Sequence, residues 1–161
     1  MNQLSIFSLL LPEPVVWQLF IDGAARNNPG PAGAGIYIIK NGVEFSKHGF
    51  FLGSKTNNQA EYLALLLGLL CLKTVMQPQD KLIIKSDSEL LVRQLNGVYS
   101  IKNPELKRIA TTIKELLSVL RYTLVHVRRE ENSVADCLAN KGIDKKVPID
   151  TDFLKVMDCL L

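Results

Sequence analysis

The chain reads as an α/β protein built on a mixed five-stranded sheet flanked by helices. Three observations carry that reading: an apolar, β-branched run after two prolines, an Asn41-Gly42 hairpin signal, and a change of period near Asn58. Hairpin-linked strands followed by strand–helix alternation imply three antiparallel strands and then parallel ones.

Val15 to Ile21 (VVWQLFI) follows Pro12 and Pro14 and has the composition of a buried strand. Asp22–Gly35 (DGAARNNPGPAGAG) is crowded with Gly, Pro and Asn and reads as a turn-forming loop. Ile36 to Lys40 resumes as a strand, and Asn41-Gly42 leads into a third, Val43 to Leu52. From Asn58 to about Met76 there is no proline, Leu and Ala dominate, and Gln77-Pro78 stops the helix. Lys81 to Lys85 is a short strand, and Ser86 to Leu95 a helix ending at Asn96-Gly97. Pro104 to Leu120 is a helix with Asn103 as N-cap and Pro104 at its first position. Tyr122 to Val127 is the last strand, and Ser133 to Lys141 the last helix, closed by Gly142. Beyond Asp144 no element is legible. The expected division is an N-terminal extension over 1–14, one folded domain over 15–143 and a tail over 144–161.

A length of 161 residues suffices for one domain with a real core, and 47% apolar with 22% charged residues is a soluble composition. The net charge of +3 is mild. If several carboxylates gather in one site, the remaining surface is more basic than that figure and suits a polyanion. Cys71, Cys137 and Cys159 have no paired spacing, and with two histidines they make no zinc pattern, so reduced thiols are expected. The apolar run Leu4 to Leu11 lacks a basic residue before it and a small-residue cleavage site after it, and reads as an extension. Tyr62–Leu72 is far short of the about 20 residues that span a bilayer. The expectation is a cytoplasmic protein with no membrane association, no obligate protein partner, and a monomeric state.

Four acids stand out, each with an ordinary local explanation. Asp22 could belong to an Asp-Gly turn, Glu61 to a cap formed with Asn58 in the first turn of the long helix, Asp87 to a helix cap, and Asp136 to a solvated face. Together they suggest more. Asp22 ends the first strand and Asp87 the fourth, and strand ends in α/β sheets open onto the crevice where ligands bind. Clustered carboxylates repel unless a cation neutralises them, and oxygen ligands without His or Cys select Mg²⁺ or Mn²⁺.

Four blocks, FIDGAARNNPGPAGAG, TNNQAEYLALLLGL, IIKSDSELLVRQL and REENSVADCLAN, closely resemble the ordered motifs of type 1 ribonuclease H domains over roughly Val15–Gly142. The resemblance implies a ribonuclease H-like fold and a catalytic role for the domain. It implies that Asp22, Glu61, Asp87 and Asp136 hold two Mg²⁺ ions about 4 Å apart, for which Mn²⁺ substitutes. One ion would activate water and the other stabilise the leaving 3′ oxygen. The implied reaction is hydrolysis of the RNA strand of an RNA–DNA hybrid, giving 5′-phosphate and 3′-hydroxyl ends. Asn28, Asn57, Asn58 and Gln59 stand where the family contacts the hybrid, and Thr56, Asn57 and Asn103 resemble its DNA-phosphate pocket.

Two departures from the family pattern are visible. The long basic protrusion of some members is replaced by Asn96–Asn103 (NGVYSIKN), so affinity must lean on Arg26, Arg93, Lys102, Lys107 and Arg129. The family's mobile-loop histidine has no counterpart: His126 falls within the strand YTLVHV and reads as a structural, buried residue, which leaves Glu131 as the better candidate for an auxiliary role. Other polynucleotidyl transfer enzymes, a non-catalytic nucleic-acid module and a domain of a reverse-transcriptase polyprotein are alternatives. The TNNQAEY and SDS blocks and the full set of acids favour the nuclease.

Overall fold

The alternation of β1 (Val16–Ala25) buries Trp17, Leu19 and Ile21 on one face, and neighbours pair with it on both edges. In the computed structural model, which describes residues 12–159, β2 (Gly30–Lys40) and β3 (Val43–Lys55) follow as antiparallel strands. β4 (Lys81–Ser86) and β5 (Arg121–His126) join in parallel on the other side. The order β3-β2-β1-β4-β5 is the mixed five-stranded sheet expected.

Helix α1 (Asn57–Lys73) lies against β1 and β2, with Gly68 fitted onto Leu19 and Ile21. Its buried leucines occupy most faces, because α3 (Pro104–Leu117) covers its far side. Each such side chain contributes roughly 1.5–3 kcal/mol when fully removed from water. The short α2 (Glu89–Leu95) bridges α1 and β5. On the opposite face α4 (Ser133–Lys145) crosses β2 and β3. At the start of β1, buried Asp80 accepts hydrogen bonds from the Val15 N–H (3.0 Å), the Trp17 indole (2.9 Å) and the Gln77 N–H (2.9 Å). This clamp ties β1 to the turn before β4.

Several local expectations change. Asp22–Gly35 is not a loop: β1 runs on to Ala25 and β2 begins at Gly30, leaving only residues 26–29 as the turn, where Asn27 takes a left-handed φ of 68°. Of the glycines that suggested a loop, Gly33 and Gly35 lie against α4 and Gly23 against α1, where a side chain would not fit. β3 likewise extends to Lys55. The cap of α1 is Thr56, paired with Gln59 in a capping box, so Glu61 sits beyond the first turn and caps nothing. Gly142 does not end α4; it packs on the Phe50 backbone, and the helix stops at left-handed Lys146. The tail without a legible element forms α5 (Thr151–Asp158), capped by Asp150, and returns Ile149 and Met157 to the core. Of the expected N-terminal extension, residues 1–11 lie outside the described residues. No helix of the described residues is long and apolar enough to cross a membrane.

Candidate active site

The parallel register places Ile21 opposite Ser86, so Asp22 and Asp87 follow side by side where β4 ends and its pairing with β1 stops. β1 itself does not end at Asp22 as its sequence suggested but runs on to Ala25. Two glycines bring the helices to them. Gly23 lies against the backbone of Ala60 and Glu61, where any Cβ would collide, and this close approach delivers Glu61. Gly35, the cross-strand partner of Asp22, lies against the Ala135 carbonyl, and that approach delivers Asp136. The acids therefore converge from β1, α1, α4 and the end of β4.

Carboxylate oxygens of Asp22, Glu61 and Asp87 lie within 4.8 Å of one another. Asp136 stands outside that trio but beside Asp22, close enough for a carboxyl–carboxyl hydrogen bond. Burial, and then the charges of Asp87 and Asp136, push the Asp22 carboxyl from 3.8 up to about 8. Burial, Asp22 and Asp87 also raise Glu61 well above the usual carboxylate range, against the Gly23 N–H, which favours its charged form. The Glu61 Oε2 is buried with no hydrogen-bond partner. A buried oxygen without a donor, in a set of oxygens that cannot all be charged, is chemically incomplete. A hard divalent cation fits that set. Around it opens a cleft of about 740 Å³, rimmed by Asn57, His126, Arg128, Arg129, Glu130 and Asn140.

Comparison with known proteins agrees with this geometry. Residues 20–142 match the family model described as reverse transcriptase-like. The ribonuclease HI of Halobacterium salinarum is 36% identical over 127 residues, covering 78% of this chain and 63% of that protein. A ribonuclease H of Coxiella burnetii is 32% identical over 142 residues, covering 79% of this chain and 89% of the other. The crystal structure of LC11-RNase H1 in complex with RNA/DNA hybrid superposes with a TM-score of 0.73 at 37% identity, covering 81% of this chain and 97% of that one. The chain belongs to the type 1 ribonuclease H family. It spans less than two thirds of the Halobacterium relative's own length.

Of the residues that resemble the family's substrate contacts, Asn57 lines the cleft, the others sit at the β1–β2 turn and the starts of α1 and α3, and most are also structural. The Asn28 side-chain oxygen accepts from the Asn57 N–H (3.0 Å), and that of Asn57 accepts from the Ala25 N–H (3.0 Å). Thr56 and Gln59 cap α1, the Gln59 amide donates to Glu105, and Asn103 caps α3 through the Glu105 and Leu106 N–H groups. Asn58 is exposed beside them. Among the basic residues expected to serve a ribonuclease H substrate, Arg26 is paired with Asp144 and Arg93 with Glu89, whereas Arg129 faces the cleft.

His126 departs from the expectation. It is the last residue of β5, exposed, and part of the cleft wall rather than buried within the strand. The strand ends one residue earlier than its composition suggests, because residues 127–128 already turn toward the 3-10 turn Arg129–Asn132. Glu131 is used in that turn, accepting from the Arg128 N–H (3.0 Å), and its neighbour Glu130 reaches the cleft instead. Two further residues were not singled out from the sequence. Asn132 and Asn140 donate to the Asp87 and Asp136 carboxylates at 3.1 and 3.2 Å. Both lie in the REENSVADCLAN block, whose match was the one signal that pointed toward them.

Proposed function

We propose that the protein is an endonuclease that hydrolyses the RNA strand of RNA–DNA hybrids, using two Mg²⁺ ions for which Mn²⁺ substitutes. The observation that carries this reading is the convergence of Asp22, Glu61 and Asp87 within 4.8 Å, with an orphaned Glu61 oxygen among them. The complex of LC11-RNase H1 with RNA/DNA hybrid supports the substrate class. Asp22, Glu61, Asp87 and Asp136 would hold the ions, which supply Lewis-acid activation of water and charge stabilisation at the leaving oxygen. The products are 5′-phosphate and 3′-hydroxyl ends.

The chain's own residues would bind and orient the duplex. The side-chain oxygens of Asn28 and Asn57 are occupied by backbone N–H groups, which leaves each NH₂ to donate outward. Donors at the rim suit 2′-hydroxyls, base edges and phosphates without sequence preference. Thr56 and Asn103 cap α1 and α3, whose starts are joined by the Gln59–Glu105 hydrogen bond, and with Asn57 they would grip a phosphate of the DNA strand. Arg128 and Arg129 add positive charge at the cleft mouth.

The test is cleavage of labelled RNA–DNA hybrid, double-stranded RNA and double-stranded DNA, each with Mg²⁺, Mn²⁺ or EDTA. The expected result is cutting of the hybrid's RNA strand alone, with either metal and not in EDTA. Equal cutting of double-stranded DNA, or full activity in EDTA, overturns the reading.

A further inference from the structure

Asn132 is 1% exposed, on the turn between β5 and α4. Its side-chain amide donates twice, to the Ile21 carbonyl at 2.9 Å and to the Asp87 carboxylate at 3.1 Å. The parallel pairing of β1 with β4 ends at Ile21 opposite Ser86. The Asn132 amide therefore bridges the two strands one step beyond their last rung, at the level where Asp22 and Asp87 emerge. Among the described residues it is the one side-chain nitrogen that donates to Asp87. Its own oxygen is buried without a partner. An apolar side chain of the same size would avoid that orphaned group, so the residue is poor as a core filler and good as a donor.

A neutral donor is also the right chemical type. A lysine or arginine here would neutralise the acid cluster and compete with a cation, whereas an aspartate would add charge where four acids already repel. An amide orients Asp87 and leaves its charge available. We infer that Asn132 is a positioning residue that locks Asp87 against β1 at the Ile21 carbonyl, presetting the carboxylate for divalent-cation binding. The inference rests on the metal-dependent reading above and adds to it the residue that fixes one ligand. Groups that hold a metal ligand from behind commonly govern metal affinity by about 10–100-fold when removed.

The experiment compares the full chain with Asn132→Ala and the volume-matched Asn132→Leu. Mn²⁺ binding is measured by calorimetry, thermal midpoints are taken in EDTA, and hybrid cleavage is titrated with Mg²⁺. The expected result is a cooperative thermal transition for at least one variant, with its metal midpoint raised by about 10–100-fold. At saturating metal its rate should return to within a few-fold of wild type, with KM for the hybrid unchanged. A folded variant with the wild-type metal midpoint overturns the inference, as does a rate loss that saturating metal leaves in place. Loss of the thermal transition in both variants also overturns it, assigning Asn132 to the fold alone. A wild-type chain that binds no Mn²⁺ overturns the metal-dependent reading itself, which separates the two failures.

Discussion

Gly35 lies against the carbonyl of Ala135, leaving no room for a Cβ between β2 and α4. Because Gly35 is the cross-strand partner of Asp22 and Ala135 precedes Asp136, this contact sets the spacing of two acids. Gly35→Ala must push α4 outward. Overpacking of this kind costs roughly 1–3 kcal/mol, and it should also reduce cleavage by displacing Asp136. A thermal melt with a single-turnover assay checks both; wild-type values in each would show that α4 shifts without consequence.

Asp87→Asn should leave the metal-free protein at least as stable as wild type, since it removes one charge from a crowded cluster. The amide oxygen can still accept from Asn132. Activity should fall by about 10³-fold, equivalent to roughly 4 kcal/mol of transition-state stabilisation. Denaturant unfolding in EDTA and initial rates in Mg²⁺ measure the two effects. Marked destabilisation without metal would point to a capping role for Asp87.

The metal-free protein should lose stability as pH rises. Burial and the charges of Asp87 and Asp136 hold the folded Asp22 carboxyl up at about 8, against 3.8 for the ordinary group, and Glu61 is raised in the same direction. The folded state therefore binds more protons across that window. The stability this provides is complete below the ordinary value and is lost as pH climbs through the raised one. A cation takes the place of the proton, so the midpoint gained on adding Mg²⁺ should grow from pH 5 to pH 8. A loss of 1 kcal/mol moves the midpoint of a chain this size by about 2–4 °C. A midpoint in EDTA that is flat or rising over this range would contradict the raised carboxyls.

His126→Ala should fold with nearly the wild-type midpoint, because the residue is exposed. Its place in the cleft wall predicts a fall in kcat/KM of about 10–100-fold, the equivalent of one hydrogen bond to a charged group. A destabilised variant with wild-type kcat/KM would restore the purely structural role that its strand-like surroundings suggested.

What the sequence determined by itself was local. The VVWQLFI run, the Asn41-Gly42 hairpin, the Asn103-Pro104 helix start and the proline-free leucine helix all act within a few residues, and each appears where it was expected. The four acids were legible because they sit inside recognisable blocks at strand and helix ends. The tertiary structure decided what depends on contacts distant in the chain. Gly33 and Gly35 looked like loop residues until α4 lay against them, for glycine serves a turn and a close approach equally well. His126 alternates like a core residue, but β5 is an edge strand whose last position opens into the cleft. Asn132 bonds to Ile21, 111 residues away in sequence, and to Asp87, 45 away. A polar residue carries no local mark of its partner, and only the folded sheet brings that partner within reach.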